Sequence, residues 1–318
     1  MTRIRQPISI FLLLMMASTV AVWAVAIANA ETEHGSPVSE SIALNNPACE
    51  AIVLIKPFVR LISFRLAGGR NHLVDFNSPN PKRNDGQVLR PLFVTGAKLW
   101  PSSETRDFYK FGLLEGRATQ NGLEVEVRMG PDPVTGFEGT ILFKLDPKEA
   151  RVTITSTLRN TEKTERDTGC WWPVTFDPGG RMEAQAIPLP KEPAYAFHFW
   201  SGNASTESAC VIDDGHVTLD LDQPLRRPIF KIGFLGREIT VSKPDCVYRL
   251  TAIDPAPSAK QVYPDGGSAV IFYSDQRTLF CEAELTSPLA HLRPNDSTSF
   301  TFALSVEPPS RKDPPKKE

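Results

Sequence analysis

The chain lacks the short motifs that mark metal, redox and nucleotide sites. Its five cysteines are widely spaced and form no Cys-x-x-Cys pair, and there is no His-x-x-x-His pair and no Asp-rich calcium loop. The glycine pairs Gly68-Gly69 and Gly266-Gly267 have no helical pattern after them, so they indicate β-turns rather than phosphate-binding loops. The sequence therefore predicts neither a metal nor a cofactor.

Neither sign of charge dominates the sequence. The 35 Lys and Arg residues and the 37 Asp and Glu residues give a formal net charge of −2, which provides no attraction to nucleic acid. Hydrophobic residues make up 41% of the chain and charged residues 23%. This is the composition of an ordinary globular protein with a sizeable core, and it excludes a membrane bundle and a disordered chain.

One long apolar run, residues 8–27, lies near the N-terminus. Arg3 and Arg5 precede it, and Ala28-Asn29-Ala30 follows it as a small-x-small cleavage site. Residues 1–30 are therefore predicted to be a signal peptide, which indicates a periplasmic or secreted protein with no membrane span after cleavage. The alternative is an uncleaved N-terminal anchor, because a run of about 20 apolar residues is near the lower limit for a membrane span.

The five cysteines lie beyond the predicted cleavage site. An oxidising compartment would permit two disulfides with one cysteine left over, and the spacing does not fix which cysteines pair. Cys281 lies on the apolar face of a predicted strand, so we interpret it as a small buried hydrophobic residue rather than a thiol nucleophile. The cysteines are Cys49, Cys170, Cys210, Cys246 and Cys281.

Strand patterns dominate the chain, and hardly any segment has the periodicity of a helix. Residues 152–158 alternate apolar or small residues with threonines, which is typical of a half-buried strand. Turn signals such as Gly130-Pro131-Asp132-Pro133 separate the strands, and the 28 prolines would break helices. Further strands are predicted at residues 59–66, 123–128, 140–146, 217–221, 230–234, 247–253, 269–273 and 299–306. We therefore predict an all-β fold of two packed sheets.

Two segments flank the predicted domain, which covers residues 48–306. Residues 31–47 are polar and rich in serine, so they are predicted to be a flexible lead-in. Residues 307–318 are rich in proline and charge and are predicted to be a disordered tail. No internal repeat of fixed period is visible, which argues against a propeller or a solenoid. The sequence thus predicts one large domain.

Two glutamates occupy alternate positions on one predicted strand near the end of the domain. Glu282 and Glu284 point to one face of this strand, whereas Cys281, Ala283 and Leu285 point to the other. A strand that faces a core does not normally carry acids on alternate positions unless that side opens to water or to a polar ligand. The two glutamates therefore mark a candidate ligand site, with a solvated sheet face as the alternative.

Several short motifs follow one another in a fixed order along the domain. They are Arg65-Leu66-Ala67-Gly68-Gly69-Arg70-Asn71, Thr95-Gly96-Ala97-Lys98-Leu99-Trp100-Pro101, Leu158-Arg159-Asn160, Trp172-Pro173-Val174-Thr175, Pro178-Gly179-Gly180, Lys231-Ile232-Gly233, Tyr263-Pro264-Asp265, and Glu282-Ala283-Glu284 with Pro288 and Pro294. Their order and spacing resemble a bacterial secreted family of the galactose mutarotase-like (aldose 1-epimerase-like) superfamily. The resemblance covers roughly residues 52–306 and implies a large β-supersandwich of antiparallel sheets.

The resemblance implies a carbohydrate ligand. The superfamily includes aldose epimerases, lyases, hydrolase domains and non-catalytic sugar-binding modules, so the fold alone does not choose among them. Epimerisation at the anomeric centre needs a base for the anomeric hydroxyl and an acid for the ring oxygen. In the superfamily the base is a glutamate on a late strand, a place that Glu284 or Glu282 occupies. His198 is the candidate acid, with a packed, hydrogen-bonded histidine as the alternative.

Six further residues are predicted to contact the sugar. Trp100 and Trp200 could each stack on a sugar ring, because aromatic faces suit the C–H side of sugars, although core packing is the alternative. Trp100 is preferred because a loop follows it. Arg70 could clamp hydroxyls or an acidic sugar, or pair with Asp75. The six predicted contact residues are Arg70, His72, Trp100, Trp172, Lys231 and Asp265.

The sequence thus predicts an exported carbohydrate-binding protein with a mutarotase-like cleft. The alternative is an aldose 1-epimerase that uses a glutamate base and a histidine acid. A third possibility is a non-catalytic envelope interaction module. Glycoside hydrolysis ranks lower, because hydrolase members usually place a separate acid on another domain. The sequence leaves the sugar and the oligomeric state open.

Overall fold

The computed structural model of the protein describes residues 40–74, 95–102, 105, 107–191, 193–201, 207–276 and 280–309. Strands account for nearly all of the regular structure in these ranges, as predicted. The predicted signal peptide lies outside the described residues. None of the helices in the described ranges is long and apolar enough to cross a membrane.

The strands are numbered in chain order. They are β1 (Glu40–Asn45), β2 (Cys49–Lys56), β3 (Arg60–Leu66), β4 (Trp100–Pro101), β5 (Gly116–Asn121), β6 (Glu124–Met129), β7 (Phe137–Leu145), β8 (Arg151–Asn160), β9 (Arg166–Thr168), β10 (Cys170–Phe176), β11 (Arg181–Gln185), β12 (Phe197–Ser201), β13 (Cys210–Asp213), β14 (His216–Asp220), β15 (Ile229–Phe234), β16 (Glu238–Ser242), β17 (Val247–Asp254), β18 (Val270–Asp275), β19 (Phe280–Thr286), β20 (Ala290–Leu292) and β21 (Ser297–Glu307). Two short helical segments accompany them, α1 (Phe108–Phe111) and α2 (Pro264–Gly267).

Two large antiparallel sheets form the body of the fold. The six-stranded sheet has the order β12-β15-β18-β19-β10-β4, and the ten-stranded sheet has the order β13-β14-β11-β16-β17-β21-β8-β7-β6-β5. A three-stranded sheet, β1-β2-β3, is linked to β10 through single bridges from Leu61 to Ala97 and from Ala97 to Val174. Each sheet turns one apolar face inward, so the core lies between the two large sheets.

The alternation of β8 shows how the sequence builds this core. Val152, Ile154 and Leu158 are fully buried, whereas the threonines between them are half-buried on the opposite face of the sheet. The predicted strand at residues 152–158 is therefore confirmed. Inward-facing aromatic rings close the gap between the sheets, where Trp172 of β10 packs against Phe302 of β21 at 5.2 Å between ring centroids.

The predicted flexible lead-in is wrong over its last part. Residues 40–45 form β1, which pairs with β2 in antiparallel register. Leu44 is buried in the core and Ile42 packs against it, so two apolar residues at alternate positions order this strand despite its polar neighbours. At the other end, β21 reaches Glu307, the first residue of the predicted tail.

All five cysteines are free and buried. No disulfide links them, although the sequence would permit two. The interpretation of Cys281 as a small buried hydrophobic residue is confirmed, because it belongs to the apolar core. Burial raises the pKa of the Cys281 thiol to about 11, which keeps this sulfur protonated and unreactive at neutral pH.

Candidate functional site

Antiparallel register brings four polar or aromatic side chains into one row across the six-stranded sheet. Lys231 of β15 lies opposite Tyr273 of β18, and Tyr273 lies opposite Glu282 of β19. Glu282 in turn lies opposite Thr175 of β10. The next residue along β15, Ile232, points into the core, so the row lies on the face turned away from the core, called here the outer face.

A second row lies one pleat further along the outer face. Glu284 lies between Ile271 and Pro173, and His198 of β12 lies opposite Gly233 of β15. Gly233 is required for close packing, because a Cβ added there would lie 2.3 Å from Ser268 Oγ and 2.9 Å from the Trp200 ring. The structure therefore gathers Glu282, Glu284, His198 and Lys231 on one face, as the predicted sugar site requires.

Glu282 is part of a largely buried charged pair. Its Oε1 accepts hydrogen bonds from Lys98 Nζ at 2.8 Å and from Thr175 Oγ1 at 2.8 Å. The Lys98 side chain is fully buried, and that burial lowers its pKa while the charge of Glu282 opposes the change. A buried ammonium needs such a partner, so Lys98 and Glu282 hold each other in place.

Glu284 is buried more deeply, with 1% of its side chain exposed. Trp171 Nε1 donates a hydrogen bond to its Oε2 at 2.7 Å, and Lys231 Nζ lies 3.5 Å from its Oε1. Burial raises the pKa of Glu284 to about 7, and the charge of Lys231 opposes part of this rise. Glu284 is therefore a carboxyl group that gains and loses its proton near neutral pH.

Three aromatic rings surround the Lys231 ammonium. Its Nζ lies 5.0 Å from the ring centroid of Trp171, 5.0 Å from that of Trp200 and 5.9 Å from that of Tyr273. Cation–π attraction and the nearby Glu284 carboxyl therefore both hold the ammonium over the centre of the outer face. Trp200 is 38% exposed, which leaves part of its ring open to a ligand.

The turn at α2 approaches the outer face beside His198. Asp265 and Gly266 have positive φ angles in this turn, and a Cβ added to Gly266 would lie 2.6 Å from the His198 ring. The His198 ring also meets the Trp200 ring edge-on, with 4.3 Å between their centroids. Within the described residues, the buried Oδ2 of Asp265 has no hydrogen-bond partner. His198 and Asp265 thus lie on neighbouring parts of the predicted site.

Arg70 and His72 lie elsewhere, which corrects the prediction that they reach the same cleft. Arg70 Nη2 donates to Asp177 Oδ2 at 2.8 Å, and His72 Nδ1 lies 3.0 Å from the same oxygen. The His72 ring packs edge-on against Tyr248 of the ten-stranded sheet at 6.3 Å between centroids. Both residues therefore belong to the margin between the sheets. Asp75, the other predicted partner of Arg70, is outside the described residues.

Trp172 is a further correction. Its ring is fully buried, and its Nε1 donates a hydrogen bond to Ser156 Oγ at 2.9 Å inside the core. Adjacent residues on a strand point to opposite faces, so the neighbouring Trp171 points to the outer face instead. Trp171, which was not among the predicted ligand contacts, donates the hydrogen bond to Glu284.

Trp100 is on the outer-face side but is largely covered. It is 9% exposed, and its ring meets Trp171 at 5.0 Å and Phe108 at 5.3 Å between centroids. Lys98 Nζ lies 4.9 Å from its centroid. The core-packing alternative therefore describes Trp100 better than a stacking platform, and Trp200 offers the more open ring.

A groove of about 1110 Å³ lies on the ten-stranded sheet. Apart from the buried Lys243, its charged residues are partly or fully exposed, and several pair with one another, as Arg249 does with Glu307 at 2.8 Å between Nη2 and Oε1. None of the residues predicted from the sequence to bind or catalyse lines this groove. We favour the outer face of the six-stranded sheet as the functional site, because buried and mutually paired charges there require a specific arrangement, whereas exposed ion pairs do not.

Comparison with known proteins identifies the fold. No model of a protein family and no curated protein matched the chain. A candidate aldose 1-epimerase of Escherichia coli K12 matches with a TM-score of 0.57 at 16% identity, over 85% of this chain and 99% of that one. A galactose mutarotase-like protein of Lactobacillus casei matches with a TM-score of 0.58 at 10% identity, over 84% of this chain and 100% of that one. A second galactose mutarotase-like protein, from Clostridium acetobutylicum, matches with a TM-score of 0.51 at 10% identity, over 86% of this chain and 98% of that one.

These likenesses define the class of the protein. The chain has the galactose mutarotase-like fold, a β-sandwich of antiparallel sheets. The fold that the motif order implied is therefore confirmed. At identities of 10–16%, these similarities show the fold alone. The chemistry of the site depends on the residues of the outer face.

Proposed function

We propose that the protein binds a carbohydrate on the outer face of its six-stranded sheet. The observation that carries the proposal is the pair of carboxyl groups of Glu282 and Glu284, largely buried and each paired with a lysine. The lysine paired with Glu284, Lys231, also lies 5.0 Å from the partly exposed ring of Trp200. Carboxylates and ammonium groups bind sugar hydroxyls, and an open indole ring suits the C–H side of a pyranose. Carbohydrate-related names among the proteins of the same fold support this choice of ligand.

The proposal includes export of the protein. The apolar run at residues 8–27, with its basic start and small-x-small end, supports a cleaved signal peptide and a periplasmic or secreted location. Fractionation of cells that make the full chain tests this part directly. A protein that stays in the cytoplasm with residues 1–30 attached would contradict it.

An aldose 1-epimerase is the second candidate, and the ionisation of Glu284 favours it. A general base works best when its pKa lies near the working pH, and burial raises the pKa of Glu284 to about 7. Ionised Glu284 would take the proton from the anomeric hydroxyl. His198 is the proposed acid for the ring oxygen, and Lys231, at 3.5 Å from Glu284, would balance the charge that develops when the ring opens.

Isothermal titration calorimetry tests the binding proposal. The ligands are monosaccharides, uronic acids, phosphosugars and short glycans, and the proteins are the wild type, Glu284→Gln and Trp200→Ala. We expect one sugar class to bind and each variant to bind it about tenfold more weakly or worse, because a hydrogen bond to a charged group contributes about 1.5–3 kcal/mol. Glu183→Gln, on the ten-stranded sheet, is the matched control and should bind like the wild type.

Polarimetry on the sugar that binds then separates the two candidates. A binding module leaves the rate of anomer interconversion unchanged, whereas an epimerase accelerates it and loses turnover by orders of magnitude in Glu284→Gln while still binding. If no sugar binds, the carbohydrate proposal is wrong. The third candidate, a non-catalytic envelope interaction module, would then take its place.

A further inference from the structure

Three side chains with metal-ligating atoms meet at the margin of the sandwich, away from the proposed sugar site. His72 follows β3, and Asp245 and Cys246 lie in the turn between β16 and β17. A ring nitrogen of His72, a carboxylate oxygen of Asp245 and the sulfur of Cys246 all lie within 4.8 Å of one another. No local motif marks this site, because the histidine is far from the other two residues along the chain.

Both nitrogens of the His72 ring face carboxylates. Nδ1 lies 3.0 Å from Asp177 Oδ2, and Nε2 lies 2.6 Å from Asp245 Oδ1. A neutral imidazole carries one N–H, so one of its nitrogens would direct a lone pair at an oxygen. A proton or a metal ion at the second nitrogen removes that repulsion. The arrangement therefore calls for a cation between His72 Nε2 and Asp245.

Asp177 completes the arrangement that metal-binding histidines require. Such a histidine usually donates its far N–H to a carboxylate, which fixes the ring and makes the ligating nitrogen more basic. Asp177 has this position, and it is itself held by Lys243 Nζ, 3.1 Å from its Oδ1, and by Arg70. With Nδ1 occupied by Asp177, Nε2 is the ligating atom.

The donor set favours zinc. One nitrogen, one sulfur and one carboxylate oxygen suit Zn²⁺, whereas Ca²⁺ and Mg²⁺ prefer oxygen ligands throughout. An ionised Asp245 and a Cys246 thiolate would balance the two charges of the ion. His72 and Cys246 are buried, while the Asp245 side chain is 50% exposed, so an ion can reach the site from the Asp245 side.

We propose that His72, Asp245 and Cys246 bind one Zn²⁺ ion, with Asp177 positioning the imidazole. Three protein ligands leave the fourth tetrahedral position to water. The ion would join the segment after β3 to the turn between β16 and β17, which are separate parts of the chain. Its binding would release two protons to solvent, the one that otherwise lies between His72 and Asp245 and the thiol proton of Cys246.

Cobalt titration of the metal-free protein tests the site. Tetrahedral Co²⁺ bound to a thiolate gives a sulfur-to-metal charge-transfer band, so the wild-type protein, freed of metal with a chelator, should take up one Co²⁺ and show this band. One equivalent of Zn²⁺ should remove it. Cys246→Ser should abolish the band, and Asp177→Asn should weaken metal binding by about 10–100-fold. Cys210→Ser, which removes a buried thiol elsewhere, should retain the band.

The wild-type titration decides the matter even if a variant fails to fold. Near-UV circular dichroism identifies the folded samples, and only those are compared. A folded wild-type protein that binds neither Co²⁺ nor Zn²⁺ overturns the proposal and leaves a protonated His72 between two carboxylates. A charge-transfer band that survives in Cys246→Ser also overturns it, because the thiolate would then come from another cysteine.

Discussion

Replacing Glu284 with glutamine should remove a pH dependence from the stability of the protein. Burial raises the pKa of Glu284 from 4.5 to about 7, so the folded protein holds this proton up to about pH 7. The unfolded chain releases it near the ordinary value. Between these two pH values the folded state binds more protons than the unfolded state, and the free energy of unfolding therefore falls as the pH rises.

The size of this effect follows from the two pKa values. Each tenfold change in a proton equilibrium is worth about 1.4 kcal/mol, so a change from 4.5 to about 7 corresponds to a loss on the order of 3 kcal/mol between acidic and neutral pH. Glutamine at position 284 carries no ionisable proton, yet its side-chain oxygen can still accept the hydrogen bond from Trp171. Titrating groups that do not interact with Glu284 contribute equally to both proteins.

Urea unfolding of the wild type and of Glu284→Gln, at about pH 5 and about pH 8, measures the difference. We expect the variant to gain about 3 kcal/mol relative to the wild type between the two pH values. Glu126→Gln, on the ten-stranded sheet, is the control and should show no such gain. If the difference between wild type and Glu284→Gln is the same at both pH values, Glu284 is ionised in the folded protein throughout, and its proposed role as a base that titrates near neutral pH is wrong.

Three more substitutions test the remaining assignments. Lys98→Met should lower the free energy of unfolding, measured by urea titration, by about 3–5 kcal/mol, because it leaves the Glu282 carboxylate largely buried without its cation. The double variant Lys98→Met with Glu282→Gln should recover most of this lost stability. Gly233→Ala should displace Ser268 and Trp200 and weaken sugar binding in calorimetry, and unchanged affinity would count against a ligand contact at this part of the sheet. Trp172→Phe should cost about 1–3 kcal/mol of stability through its lost hydrogen bond, yet leave sugar affinity unchanged if the residue belongs only to the core.

Local alternation made much of the fold predictable. The threonines of β8 and the two glutamates of β19 occupy alternate positions, and a strand with that pattern must place them on one face whatever its partners are. The same rule requires that one of the adjacent residues Trp171 and Trp172 points inward and the other outward. It did not say which, because that depends on which face of β10 meets the ten-stranded sheet.

The full composition of the site could not be predicted, because part of it depends on register between distant strands. Lys98 reaches Glu282 only because the bridge from Ala97 to Val174 places it beside β10. Arg70 and His72 were predicted to contact the same ligand as the glutamates. They follow β3, however, and this places them beside Asp177 at the margin between the sheets. Pairing across such separations leaves no local trace in the sequence.

The position of β21 in the ten-stranded sheet has a consequence for how the chain folds. This last strand lies between β17 and β8, where Thr301 pairs with Thr155 and Leu304 with Leu250. Among the described strands, the two halves of the sheet therefore meet only through β21. During synthesis the sheet cannot close until Glu307 has left the ribosome, and contacts of such long range make folding slow. A chain shortened by this one strand would lose the centre of the sheet rather than its edge.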